Sequence, residues 1–508
     1  MSSTVLLVAG EAYPLVKTGG LADAVTGLVQ ALEQAGVQVR LLVPAYRGVL
    51  EKVRVDTTWP LPDLPQGPAR LVAGRCRTTG MSYLLLDHPA LFDRPGCYVD
   101  ENGQDYADNA SRFAALAHAA AEVARGLPGL ERPTIVHAHD WHAGLVPLLI
   151  KAAELPSVKT VLTIHNLAFQ GVFDPACIDQ LGLPESARHA EGLYAWDRLN
   201  FLQAGILHAD RVTTVSHTYA REILTPEFGC GLEGALRYRG EALVALPNGI
   251  DDELWNPATN VHLQPNGFSA SNLGNKARWK EHIQRAFGLT VDPGSLLVVS
   301  CCRLTEQKMT DLTVEALPRA LAEHPRLQFA MLGKGDRRFE EAFTRIAAEH
   351  PGRCGVRIGY DEPTAHRLQA GADMLWHPSR FEPFGLTPLY SMRYGTLPIV
   401  TAVGGLADSI KDPGSHAGEA AMMRANGLFL EYHDVDGVVA VLARALQLRS
   451  REAVWRAMRR NAMNGAYGWN QRVTSYLDLF ETLSGDGMLR DPSGTRSRTQ
   501  VPPSAASA

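Results

Sequence analysis

The 508-residue chain contains no apolar run approaching the roughly 20 residues that cross a bilayer, which excludes a membrane-spanning helix. No basic region precedes its first apolar stretch, residues 5–9, and Glu11 follows closely, so no signal peptide is expected. Cysteine is sparse: the 7 residues Cys76, Cys97, Cys177, Cys230, Cys301, Cys302 and Cys354 are scattered, odd in number and free of any Cys-x-x-Cys. That pattern argues against a disulfide framework or a zinc site and for reduced thiols in a cytoplasm. No basic stripe interrupts a formal net charge of −5, so nucleic acid is not an expected partner. Gly-x-Gly-x-x-Gly and Gly-Lys-Ser/Thr are both missing, so neither a dinucleotide fingerprint nor a Walker loop is present. What remains is an ordinary globular composition, 45% hydrophobic and 20% charged, in a chain too long for one core.

Strand and helix signals alternate along both halves. Residues 5–9 form a continuous apolar run, as in a strand covered on both faces. Residues 22–35 carry Val25, Leu28, Val29 and Leu32 at helical spacing, with Gly36 fitting a C-terminal cap. Further strands are expected at 37–43, 134–137, 158–164 and 211–215. A second series follows a polar stretch near 256–274, with strands at 296–301, 327–332, 355–358, 374–377 and 397–401 and a helix at 311–323. The expected architecture is α/β: two doubly wound, mainly parallel, Rossmann-like domains facing across a cleft. The divisions fall at 1–252 and 253–466, followed by a helix over 467–484. The Gly-, Ser- and Pro-rich end, 485–508, reads as disordered.

One pentapeptide occurs twice. Gly19-Gly20-Leu-Ala-Asp23, preceded by Lys17, follows the first strand, and Gly404-Gly405-Leu-Ala-Asp408 follows a strand in the second half. Each is either a tight strand-to-helix turn or a loop whose free N–H groups favour an anion, with Lys17 suited to a phosphate. As a pair they would hold the sugar and the pyrophosphate. Arg303 and Lys308, five residues apart after a strand, suit a diphosphate leaving group. His137-Ala-His139-Asp140-Trp-His142 invites a metal reading, but no further ligand follows at the right spacing. A polar pocket containing Asp140 fits better, with His165-Asn166 at a neighbouring strand end. Glu382, before Pro383 and a helix start, can accept bonds from sugar hydroxyls or complement the helix dipole.

Taken in order, these segments resemble the bacterial glycogen synthase and plant starch synthase family. The likeness includes Asp93-Arg-Pro-Gly96, Thr163-Ile-His-Asn-Leu-Ala-Phe-Gln-Gly171, Pro247-Asn-Gly-Ile-Asp251, Arg303-Leu-Thr-Glu-Gln-Lys308, Ile358-Gly-Tyr360 and Pro378-Ser-Arg-Phe-Glu-Pro383. It implies the GT-B fold and transfer of glucose from ADP-glucose to the non-reducing end of glycogen, with anomeric retention and neither metal nor cofactor. It also implies residue roles. Lys17, Gly19 and Gly20 lie by the donor's phosphates and sugar, and Arg303 and Lys308 neutralise the diphosphate. Glu382, Asn248 and His165 stand by the donor, Tyr360 stacks on adenine, and Asp140 lines the catalytic side. No nucleic-acid or membrane partner is implied, and a homo-oligomer is compatible with the family. Met309 stands where the family has glycine, so a rebuilt turn is expected there; Phe384 replaces a common cysteine. The rival readings are a UDP-glucose or plant-type synthase and a catalytically dead glycan-binding protein on the same fold.

Overall fold

Thr4–Val8 is buried at every position, as its unbroken apolar run requires, and pairs in parallel with Gln38–Pro44 and Ile135–His139. The computed structural model describes residues 4–485. From edge to edge, the first sheet runs Leu243–Ala245, Arg211–Thr214, Lys159–Ile164, Ile135–His139, Thr4–Val8, Gln38–Pro44, Ser82–Asp87, Ala69–Cys76 and Val53–Leu61. The last three are linked by antiparallel pairing, which the sequence reading did not anticipate. Most positions of Val53–Leu61 are exposed and Pro60 interrupts it, so no apolar run marks it. A small antiparallel sheet of Val172–Phe173, Arg198–Asn200 and Tyr194–Ala195 is a second unanticipated element.

The second sheet is wholly parallel, in the order Cys354–Ile358, Leu327–Gly335, Leu296–Leu304, Met374–Trp376, Leu397–Val400 and Leu428–Phe429. In both lobes the strand order reverses beside a central strand. The reversal lies between Thr4–Val8 and Ile135–His139 in one sheet and between Leu296–Leu304 and Met374–Trp376 in the other. Open α/β sheets bind ligands at the carboxyl ends of the strands at such a point.

The final helix, Trp469–Ser484, packs on helix Gly20–Gln34 of the first lobe. Gly27 permits that crossing: a Cβ on it would lie 2.0 Å from Nε1 of Trp469. Just before this helix, the chain runs beside the other interlobe segment. Ile250 N–H donates to the Tyr467 carbonyl at 2.9 Å, and Trp469 N–H donates to the Ile250 carbonyl at 3.3 Å. The tail expected over 485–508 lies outside the described residues beyond Gly485.

Candidate active site between the lobes

The loops that leave the two reversal points supply the site. In the first lobe, buried Glu11 folds back onto the glycine loop. Its carboxylate accepts from the Thr18 N–H, from the Thr18 hydroxyl at 2.6 Å, from the Gly19 N–H at 3.3 Å and from the Tyr98 hydroxyl at 3.0 Å. Glu11 thus takes the Thr18 and Gly19 N–H groups ahead of the helix that starts at Gly20, a helix start with no side-chain cap hydrogen bond. Lys17 pairs with Asp23 at 2.8 Å, and Asp23 also accepts from the Tyr390 hydroxyl of the second lobe at 3.4 Å. Gly20 faces the same lobe, 3.1 Å from Leu386 at the position of an added Cβ. A cavity of about 250 Å³ opens behind this contact, lined by Tyr13, Asp23, Asp251, Trp255 and Tyr390 among others.

Beside this loop lies the histidine-rich strand end. The rings of His137 and His139 stack at 4.3 Å, since alternate strand residues share a face. His139 Nδ1 meets His165 Nε2 at 2.9 Å, and His137 meets the Thr163 hydroxyl at 2.6 Å. Burial pushes His137, His142 and His165 down to about 3 and His139 well below its ordinary range, so all four are neutral near pH 7. Among the described residues, no group of three or more His, Cys, Asp or Glu side chains is arranged to hold a metal ion. Asp140 has a positive φ, 57° with ψ −172°, a conformation otherwise reserved for glycine that costs about 1–3 kcal/mol. Its carboxylate accepts from the N–H groups of His165 at 2.7 Å and Asn166 at 3.3 Å. Burial nevertheless pushes it up to about 7, against the pull of those two bonds.

In the second lobe, Lys308 and Glu382 form an ion pair between side chains that are each 12% exposed. His377 Nε2 lies 3.1 Å from the Lys308 ammonium, and the Ser379 hydroxyl donates to Glu382 at 3.0 Å. Burial alone would raise Glu382, but Lys308 and His377 hold it well below the usual carboxylate range. It is a permanent anion matched to a cation. Arg303 is exposed, and its side chain makes no hydrogen bond or ion pair with a described residue. Met309 keeps the left-handed conformation, φ 48° and ψ 37°, that a glycine would supply, so the turn is not rebuilt. Its side chain is 2% exposed, and burying it offsets the backbone cost. Tyr360 is 63% exposed on the loop after Cys354–Ile358. Asn248, next to the interlobe segment, is buried with its amide oxygen lacking a protein partner.

The second glycine pair does something the sequence reading did not foresee. A Cβ on Gly404 would fall 1.9 Å from the Glu382 carbonyl oxygen, and one on Gly405 would fall 2.2 Å from that of Phe384. Gly405 N–H donates to the carbonyls of Glu382 and Pro383 at 3.2 Å each. These glycines let one backbone lie on another, beneath Glu382. The Gly404 N–H donates across the interface to Glu222 at 3.0 Å. Asp408 reciprocates, accepting from the His217 N–H at 2.7 Å and the Thr218 hydroxyl at 2.6 Å. The sequence reading missed Glu11, Tyr98, His377, Ser379 and Glu222. Of these, only His377 carried a usable signal, as a polar residue ending a buried strand.

Two mainly parallel α/β lobes whose reversal points face each other, one lined by a lysine–glutamate pair and an unpaired arginine, define a GT-B glycosyltransferase. Comparison with known proteins agrees. Residues 4–238 match the starch synthase catalytic domain family, and residues 284–463 match the glycosyl transferases group 1 family. A glycogen synthase of Bordetella petrii is 55% identical over 94% of this chain and 92% of its own. One from Ralstonia nicotianae is 48% identical over 95% of this chain and 89% of its own. Among solved structures, the catalytic domain of starch synthase IV from Arabidopsis thaliana, bound to ADP and acarbose, superposes with a TM-score of 0.84. It is 28% identical, and the match covers 96% of this chain and 100% of that one. The chain belongs to the glycogen and starch synthase family, enzymes that extend an α-glucan from a nucleotide-activated glucose.

Proposed function

We propose that the protein transfers glucose from ADP-glucose to the non-reducing 4-hydroxyl of glycogen, with retention at the anomeric carbon. The reading is carried by the buried Lys308–Glu382 pair beside unpaired Arg303, facing the Lys17 loop. Residues 1–252 present the acceptor side and residues 253–466 the nucleotide sugar, with 467–484 tying the second lobe back to the first. Arg303 and Lys308 take the charge that develops on the diphosphate as the C1–O bond breaks. Lys17, Gly19 and Gly20 close on the phosphates and sugar, and Tyr360 stacks on adenine. Glu382, Asn248 and His165 hold glucose hydroxyls. Gly404 and Gly405 act through the Glu382 loop as positioning residues.

Neither of the two candidate carboxylates among the described residues is free to act as a nucleophile: Glu382 is paired with Lys308, and Asp140 is spent on two backbone N–H groups and pushed up to about 7 by burial. A front-face displacement follows. The departing diphosphate oxygen accepts the proton of the acceptor 4-hydroxyl while that oxygen bonds to C1 on the same face. Closure of the lobes excludes water and suppresses donor hydrolysis. The test offers labelled ADP-glucose and UDP-glucose with a glycogen primer and a chelator. Label should enter polymer from ADP-glucose with retained configuration. A trapped glucosyl adduct on Glu382 or Asp140 would overturn the mechanism, and absence of label from both donors would overturn the function.

A further inference from the structure

His377 extends the buried strand Met374–Trp376, its backbone N–H donating to the Ile399 carbonyl at 2.9 Å. The side chain is 4% exposed, yet its two nitrogens are treated unequally. Nδ1 is buried and finds no hydrogen-bond partner among the described residues. Nε2 lies 3.1 Å from the Lys308 ammonium and 3.4 Å from Glu382 Oε2. An ammonium only donates, so the shorter contact makes Nε2 the acceptor and places the ring proton on Nδ1. A second proton is disfavoured. Burial and the neighbouring ammonium hold His377 below the ordinary histidine range, against the pull of Glu382. A core position gains nothing from such a ring, since a leucine would fill it without orphaning a nitrogen.

We propose that His377 is a positioning residue for glucosyl transfer, whose neutral imidazole aims the Lys308 ammonium at the departing diphosphate. The inference rests on the ADP-glucose reading above and adds a residue to the machinery of that reaction. Lys308 carries three N–H groups that turn together about the Cε–Nζ bond. One is paired with Glu382 Oε2 and one with His377 Nε2, and the third meets only the Ser379 hydroxyl, at 3.5 Å. That hydroxyl already spends its own hydrogen on Glu382. Two firm acceptors stop the rotor, and the third N–H, weakly held, is the one a phosphate oxygen can take. With Glu382 alone the ammonium would turn about a single hydrogen bond, and its remaining N–H groups would have no fixed direction. Preorganised donors act on charge as it develops. The loss therefore falls on the transition state and on ADP, which carries the full leaving-group charge, more than on bound ADP-glucose.

The test compares wild type with His377→Leu, which removes the acceptor, and His377→Gln, whose amide oxygen can stand near the Nε2 position. His377→Leu should lower kcat about tenfold, the scale of one hydrogen bond to a charged group. Binding of ADP, measured by calorimetry, should weaken by a similar factor, while KM for ADP-glucose stays within about twofold. His377→Gln should recover most of both losses. Should His377→Leu fail to fold, His377→Met carries the same comparison, since a thioether is a poor acceptor. Wild-type kcat in the apolar variant would overturn the inference. So would equal weakening of ADP-glucose and ADP, the mark of a ring that serves only the packing, or a Gln variant no better than the apolar one. A different pattern separates the inference from the reading it rests on. If wild type transfers glucose from neither donor, while His377→Leu weakens ADP and His377→Gln does not, the positioning of Lys308 stands and the proposed reaction fails.

Discussion

Lys308 and Glu382 each satisfy the other, so neither can be removed without exposing its partner's charge to a poorly hydrated pocket. Lys308→Ala should lower turnover about 100-fold, corresponding to about 3 kcal/mol of lost transition-state stabilisation. It should also lower stability, because breaking a buried pair costs about 3–5 kcal/mol, and His377 and Ser379 recover only part of that. The pair Lys308→Met with Glu382→Gln separates the two effects. Its urea midpoint should return towards wild type while its turnover stays low, and recovery of both would show that the charges serve only the fold. In the sequence these two residues stood out only in the company of the other motifs, because a lone charge after a strand or before a helix is unremarkable. Glu11 did not stand out at all, because only the folded loop brings its carboxylate to N–H groups seven and eight residues away. Met309 looked like a departure from the family turn, yet it accepts the same left-handed backbone and buries its side chain there.

At the level of elements, the sequence marked what was buried on both faces and missed what was half exposed. Parallel strands such as Leu296–Leu304 announce themselves as apolar runs. The antiparallel edge Val53–Leu61 and the hairpin that carries Trp196 have no such run, and their pairing partners supply the missing definition. Gly27 is the sharper case, since a glycine inside a helix reads from sequence as a weakness. Gly→Ala in a helix interior ordinarily gains about 0.8–1.0 kcal/mol. Here the added methyl would overlap the Trp469 indole, and overpacking of that kind costs about 1–3 kcal/mol. Gly27→Ala should therefore lower the urea midpoint and loosen the final helix. Gly234→Ala, in helix Glu233–Arg239 with open space around the new methyl, should leave the midpoint level or raise it. A rise in both variants would show that the last helix does not press on the first.

Across the whole molecule, the two copies of Gly-Gly-Leu-Ala-Asp share a role that spacing alone did not reveal: the aspartate of each reaches the opposite lobe. Asp23 meets Tyr390, and Asp408 caps the start of helix His217–Glu222 while Glu222 caps Gly404 in return. Asp408→Ala should loosen this clasp without unfolding either lobe. Small-angle scattering from the ligand-free variant should give a larger radius of gyration than wild type, with the same thermal midpoint to within about 2 °C, as for a surface substitution. An unchanged radius would mean that other contacts set the separation. The Ile250 and Trp469 bonds between the two crossing strands carry a mechanical consequence. A single connection would act as a swivel, free to twist in any direction. Two strands pinned side by side form a door hinge instead, so the lobes share one axis of rotation, which passes beside Ile250.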